Sequence, residues 1–222
     1  IIIIPLAAWL TMILSPRRFA VTISAIFVIA SLLCSMAWNL ESMIVFRALQ
    51  GLAGGALIPF AFTLILTKLP PNQRPKGMAM FAITATFAPS IGPTIGGWLT
   101  ENFGWEYIFY INIVPGILMA TGLMYGLDKA KPRWELLRQG DYFGIVTMAI
   151  GLGCLQVFLE EGHREDWFES NLMVALAVIS FIALVSFVIV QLTRDNPLVN
   201  LRLLKDRNFL LGSLANIGLG VG

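Results

Sequence analysis

The stretch LMVALAVISFIALVSFVIVQL, Leu172–Leu192, runs without one charged side chain. About 20 apolar residues in an α-helix span the roughly 30 Å hydrocarbon core of a bilayer. In lipid a chain must satisfy its own backbone hydrogen bonds, so such a stretch becomes a helix. The same reading extends outward through the chain. Hydrophobic residues make up 57% of the sequence and charged residues 13%, with a mean hydropathy of +0.79. A soluble domain carries about 25% charged residues, so a water-exposed globule is excluded.

Working outward from Leu172–Leu192, seven further apolar spans are predicted, each bounded by charged or helix-breaking residues. They cover Ile1–Leu14 (truncated), Phe19–Trp38, Met43–Leu66, Gly77–Trp98, Tyr107–Leu127 and Tyr142–Leu159, with an incomplete last span starting near Phe209. Leu69–Pro75 holds three prolines and an Asn and reads as a helix break. Lys129–Gly140 and Asn196–Asn208 read as charged connectors. The fold class is therefore all-α, a polytopic transmembrane bundle. The apolar start at Ile1 and stop at Gly222 are read as those of an internal piece of a longer polypeptide. No basic segment or small-residue cleavage site precedes Ile1 to make it a signal peptide.

The placement of charge predicts orientation. Every Lys and Arg except Arg47 and Arg164 falls in one alternate set of loops: Arg17, Arg18; Lys68, Arg74, Lys76; Lys129, Lys131, Arg133, Arg138; Arg194, Arg202, Lys205, Arg207. The opposite loops hold Glu41, Glu101, Glu106, Glu160, Glu161, Glu165, Asp166 and Glu169. Basic loops face the cytoplasm, so a multi-pass protein of the inner (plasma) membrane is expected, with the lipid bilayer as its first partner. Trp38, Trp98, Trp105, Tyr107, Tyr142 and Trp167 lie near span ends, where amphipathic rings sit. The net charge of +2 adds little, and nothing points to a nucleic acid. Cys34 and Cys154 each lie within a span, outside any CxxC pattern, and read as small core residues.

Two segments carry functional signals. Arg47-Ala-Leu-Gln-Gly-Leu-Ala-Gly-Gly55 places a lone cation in an apolar helix, at about 2.5–3.5 kcal/mol if at the bilayer centre. Arg47 either snorkels to the headgroups or faces a polar cavity. Gln50, one turn further on the same face, favours the cavity. Gly51, Gly54 and Gly55 allow close helix packing. The second segment, Ala88-Pro-Ser-Ile-Gly-Pro-Thr-Ile-Gly-Gly-Trp98, carries Pro89, Pro93, Gly92, Gly96 and Gly97 and predicts a kink with a close helix contact. Pro59 adds a milder kink. Asn112 either lines a cavity or bonds to a neighbouring helix. His163, in an acidic loop, reads as a solvated residue, with a metal or pH-sensing site as the weaker alternative. No catalytic triad, phosphate-binding loop or zinc spacing is present, so no catalytic residue, resident cofactor or metal is assigned.

The segment Arg47–Gly55 resembles motif B of the major facilitator superfamily, and Gly92–Gly97 resembles motif C of its drug:proton antiporters. Leu155-Gln156, Asp166-Trp167-Phe168, Asn196-Pro-Leu-Val-Asn-Leu-Arg202 and Arg207-Asn-Phe209 resemble the fourteen-helix EmrB/QacA-type branch, and the EmrB type more than the QacA type. The resemblance implies that residues 1–128 are helices 2–6 of an N-terminal six-helix bundle, with a cytoplasmic connector at 129–141. Residues 142–193 would form two extra central helices, 194–208 a second connector, and 209–222 the start of the C-terminal bundle. It implies a secondary multidrug exporter exchanging cytoplasmic amphipathic drugs for external protons. An EmrB-type member would work with a periplasmic adaptor and an outer-membrane channel. Arg47 would orient a carboxylate lying outside this sequence; guanidinium does not give up its own proton. Gly92, Pro93, Gly96 and Gly97 would seal one helix against the other half. Motif A is degenerate: Met12 stands where its Asp is expected and Ser15 where its second Gly is, while Arg17 and Arg18 keep its basic pair. A metabolite exporter of the same fold and a non-transporting membrane sensor or scaffold stay open as alternatives. A membrane-embedded enzyme finds no intramembrane Asp, Glu or His pair.

Overall fold

The computed structural model describes residues 2–138, 140–194 and 197–221. The helices are α1 (Ile3–Leu14), α2 (Pro16–Ser35), α3 (Leu40–Lys68), α4 (Arg74–Asn102), α5 (Tyr107–Tyr110), α6 (Ile113–Gly126), α7 (Glu135–Arg138), α8 (Tyr142–Glu161), α9 (Asn171–Thr193) and α10 (Arg207–Val221). No strand occurs among the described residues. Among the described residues, six helical segments are long and apolar enough to cross a membrane, with Tyr107–Gly126 counted as one. Together with large exposed apolar side chains on every such segment, this makes the chain a multi-pass membrane protein. The predicted Ile1, Asn196 and Gly222 lie outside the described residues.

Span ends agree with the sequence reading to within a turn, with two departures. The fifth span, expected as one helix, is broken at Ile111–Asn112, between α5 and α6. Pro115 explains the break: it lacks an N–H and fits only the first turn of a helix, so α6 restarts just ahead of it. The expected break at Leu69–Pro75 is shorter, because Arg74 and Pro75 already belong to the first turn of α4, where a missing N–H costs nothing.

The segment Leu6–Leu136 forms one compact unit. Its centre is α2, which packs on α3, α5 and α6. Phe19, Ala20, Ala30 and Cys34 of α2 are buried together with Ala53, Ala56 and Phe60 of α3. The rings of Phe19 and Phe60 meet with centroids 5.4 Å apart. Small residues along this seam let the helices approach, the usual basis of packing in lipid. Gly116 of α6 serves the same end, since a Cβ there would overlap Val28 of α2. Helix α3 opens with a reciprocal cap: Ser42 N–H donates to Asn39 Oδ1 at 2.7 Å and Asn39 N–H to Ser42 Oγ at 3.2 Å. Helix α4 lies against α3 and α5 yet buries none of its residues.

At the far end of α3, Lys68 Nζ bonds Asp128 Oδ2 at 2.9 Å. This bond holds the Asp128 carboxyl below its ordinary range. The contact therefore survives mild acid and loosens only as pH falls through that depressed value.

A second unit takes in residues 137–222 and the first turn of α1. Here α8 and α9 form an antiparallel pair, crossing at Gly151, where a Cβ would overlap Leu184. Ser180 Oγ donates to Gly151 O across this crossing at 2.9 Å. At the opposite end Asp141 is buried and caps α8, accepting from Gly144 N–H at 2.9 Å. The same carboxylate accepts from Gln191 Nε2 at 2.6 Å and from Arg194 at 2.9 Å. Gln191 Oε1 in turn accepts from Val199 N–H at 2.9 Å. One acid thus ties the start of α8, the end of α9 and the following connector.

Asp141→Ala removes a cap and strands Gln191 in a buried position. It should lower unfolding free energy by about 2–3 kcal/mol, read as a fall in melting temperature of the purified full-length protein. Arg194→Gln should cost clearly less, because Arg194 keeps solvent access. Equal losses from the two variants would contradict the assigned geometry.

Candidate functional site

Arg47 lies two turns into α3, about 10 Å along the helix from its start. Its Nη1 donates to Gln50 Oε1 at 3.1 Å, one turn deeper. Its guanidinium carbon sits 4.5 Å from the centroid of the Phe109 ring on α5, within cation–π range. Gln50 is buried, and its Nε2 donates to Ser31 Oγ of α2 at 2.7 Å. Cys34 Sγ lies 4.0 Å from Gln50 Oε1. Gln50, Ser31 and Cys34 thereby form a buried polar strip in the α2–α3 seam, with Arg47 exposed at its edge. Ser24, seven residues before Ser31 on α2, is also buried, and its hydroxyl has no partner among the described residues.

The Arg47–Gln50 pairing follows from their i,i+3 spacing. Ser31, Cys34 and Phe109 are the members that sequence reasoning missed. Ser31 and Cys34 lie one turn apart on α2, a small polar pair in an apolar span, and that spacing was the available signal. Phe109 carried none.

The glycines divide. A Cβ on Gly54 would reach the Phe27 ring of α2 at 3.4 Å, whereas one on Gly51 would meet nothing within 4 Å. On α4, a Cβ at Gly92, Gly96 or Gly97 would meet nothing within 4 Å. Within Leu6–Leu136 the glycine face of α4 is therefore open. Pro89 and Pro93 both lie inside the continuous helix α4. The carbonyls they free, at Ala85 and Pro89, take no side-chain donor among the described residues; Ser90 bonds Thr86 O and Thr100 bonds Gly96 O instead. Beside this face, a groove of about 590 Å³ runs between α4 and the α5–α6 break, with Gly92, Gly96, Ile108, Asn112 and Pro115 in its walls. Asn112 lines this groove and its side chain bonds to no described residue, so the structure sets it apart from the Arg47–Gln50 strip.

Met12 is exposed near the end of α1. Arg17 and Arg18 begin α2, after Ser15, whose φ of 74° and ψ of 150° fall in a region that is essentially glycine-only. Glycine, the residue that the resemblance places here, would adopt that backbone without strain. Of the cysteines, Cys34 is buried, Cys154 is partly exposed, and both are free thiols. His163 is exposed, and no cluster that could hold a metal occurs among the described residues.

Gln50→Leu should cost about 1–2 kcal/mol, chiefly by leaving the Ser31 hydroxyl buried and unpaired. Adding Ser31→Ala should restore part of the loss, since removing both partners is close to neutral. A double-mutant cycle on thermal unfolding reads this out, and strict additivity would show that the two side chains do not interact.

The sequence profile described as Major Facilitator Superfamily matches residues 1–221. The chain is 37% identical, over 100% of its own length and 43% of the relative's, to the "Colistin resistance protein EmrB" of Acinetobacter baumannii. It is 35% identical, over 95% of its length and 41% of the relative's, to the "Multidrug export protein EmrB" of Escherichia coli K12. It is 37% identical, over 96% of its length and 42% of the relative's, to the "Fatty acid resistance protein FarB" of Neisseria gonorrhoeae. The chain spans about two-fifths of the length of these relatives. With the membrane-crossing helices and the matched profile in agreement, the chain belongs to the major facilitator superfamily.

Proposed function

We propose that this chain is part of a proton-coupled multidrug exporter, working by alternating access in the inner membrane with its basic loops cytoplasmic. The observation that carries the reading is that Arg47, exposed on α3, is held by Gln50, which is buried and bonded to Ser31 inside the α2–α3 seam. A charge held in place by Gln50 and the Phe109 face, yet still accessible, suits a residue that biases a neighbouring carboxylate. That carboxylate is supplied from outside this sequence. Arg47 then stabilises its ionised form, and proton binding from the external side weakens the pair.

In this reading α2 to α6 belong to the N-terminal bundle and α8–α9 are the two added central helices. Helix α10 opens the C-terminal bundle, and residues 129–141 and 194–208 are cytoplasmic connectors. The open face of α4 at Gly92, Pro93, Gly96 and Gly97 receives a helix of the other half and limits leak. The names of the relatives, which refer to colistin, fatty acids and multiple drugs, support amphipathic substrates. The likeness to proteins named EmrB also supports work with a periplasmic adaptor and an outer-membrane channel.

The test uses the full-length protein in liposomes, with internal pH followed as substrates from a broad amphipathic panel are added. Substrate-dependent proton movement is expected, and it should fall at least tenfold in Arg47→Lys, which keeps charge but loses the planar fork. No pH change with any substrate would overturn the exchange reading. For orientation, single cysteines at Asn72 and His163 are probed in a background lacking Cys34 and Cys154. An impermeant reagent applied to intact cells should label position 163 and spare position 72; the reverse pattern would invert the topology.

A further inference from the structure

Three basic side chains meet at the start of α2. Arg17 and Arg18 of its first turn and Lys129 after α6 line a recess of about 380 Å³ together with Ser15 and Ala130. None of the three cations makes a hydrogen bond or ion pair with a described residue. The nearest acid in sequence, Asp128, is engaged by Lys68. The acid that motif A would carry is absent, with Met12 in its place. Three like charges around one recess repel unless a counter-charge arrives from elsewhere.

Ser15 supplies an independent observation. It lines the recess, is only 4% exposed, and its Oγ has no hydrogen-bond partner among the described residues. A buried hydroxyl without a partner is costly. The cost is compounded by a backbone held where serine rarely goes. Ser15 is the N-cap of α2, yet its side chain does not cap the helix. Pro16 follows as the first helical residue, Phe19 N–H bonds Ser15 O at 2.9 Å, and the amides of Arg17 and Arg18 remain at the open end. A helix N-terminus of this kind attracts anions. Strain, an orphaned donor and unpaired cations thus coincide in one place.

We propose that the recess of Ser15, Arg17, Arg18 and Lys129 binds a phosphate group, either free phosphate or the headgroup of an anionic phospholipid. A phosphate presents several acceptor oxygens, enough for two guanidinium groups, an ammonium and the Ser15 hydroxyl at once. A single carboxylate would leave part of that set unanswered. The recess has room for the group and some of its water, at about 30 Å³ per water. Bound there, the anion balances the three cations, and it ties the Ser15 junction between α1 and α2 to the segment after α6. The proposal does not depend on transport activity.

The experiment takes the purified full-length protein in two arms. In detergent, melting temperature is followed against inorganic phosphate, with chloride at equal ionic strength as the control. In nanodiscs, phosphatidylglycerol is compared with phosphatidylcholine, and retained lipid is counted by native mass spectrometry. A saturable stabilisation by phosphate, or selective retention of phosphatidylglycerol, is expected. Inhibition of that retention by free phosphate would show that the two share the site. Arg17→Gln with Arg18→Gln should weaken the effect at least tenfold. Ser15→Gly should raise the melting temperature without phosphate, by relieving the backbone, and yet weaken phosphate binding several-fold. That pairing separates the site from a folding defect. No response to either phosphate source, or a response unchanged in both variants, would overturn the proposal and leave the recess to a carboxylate from elsewhere in the protein.

Discussion

Inside a bilayer a polar group has no solvent to fall back on, and most of the order in this chain follows from that. Backbone groups are settled by helix formation. Side chains must find one another, and they do so at two seams. Gln50 joins Arg47 to Ser31 between α2 and α3, and Ser180 joins α9 to the backbone of α8 at Gly151. Apolar contact does little to hold helices together in lipid, where the surroundings are equally apolar. Small residues and these few hydrogen bonds therefore decide which faces meet. The contrast between α2 and α4 shows the rule at work. Helix α2 presents serines and alanines and is the centre of its unit. Helix α4 presents a glycine face that finds no neighbour within the unit.

The site inherits its character from this scarcity. A guanidinium in an apolar helix has to be held by something, and here a buried amide and an aromatic face share the task. Neither neutralises the charge. The arrangement fixes where the cation points while leaving its electrostatic field available. The role proposed for Arg47, acting on another group, requires this property; closing a structural ion pair would not. Asp141 and Arg194 show the other outcome, a buried acid held by three donors and serving the architecture.

Much of this fold was legible in the sequence because hydropathy is read over whole segments. Leu172–Leu192 could be nothing else, and its neighbours followed by length and by the placement of Lys and Arg. What escaped was local or distant. The break at Ile111–Asn112 depended on Pro115 sitting three residues beyond an ordinary apolar run. The partnership of Asp141 with Gln191 and Arg194 joins residues some fifty apart in sequence, and no periodicity encodes it. Within the candidate site, Arg47 and Gln50 share one helical face and were visible. Ser31 and Phe109 come from other helices and appear only once α2, α3 and α5 are packed. The departure from the resembled motif at Met12–Arg18 was visible, but the strain at the junction of α1 and α2 needed the backbone angles of Ser15.

The knot around Asp141 also bears on how such a protein could have been assembled. Because Arg194 reaches back to the residue that begins α8, the chain enters and leaves this hairpin at nearly one point. A pair of crossings closed in that way preserves the side of the membrane on which the chain continues. Its side-chain bonds, from Gly144 to Val199, are made within the hairpin and the connector that follows it. Gene fusion or deletion could add or excise such a cassette without rewiring whatever flanks it.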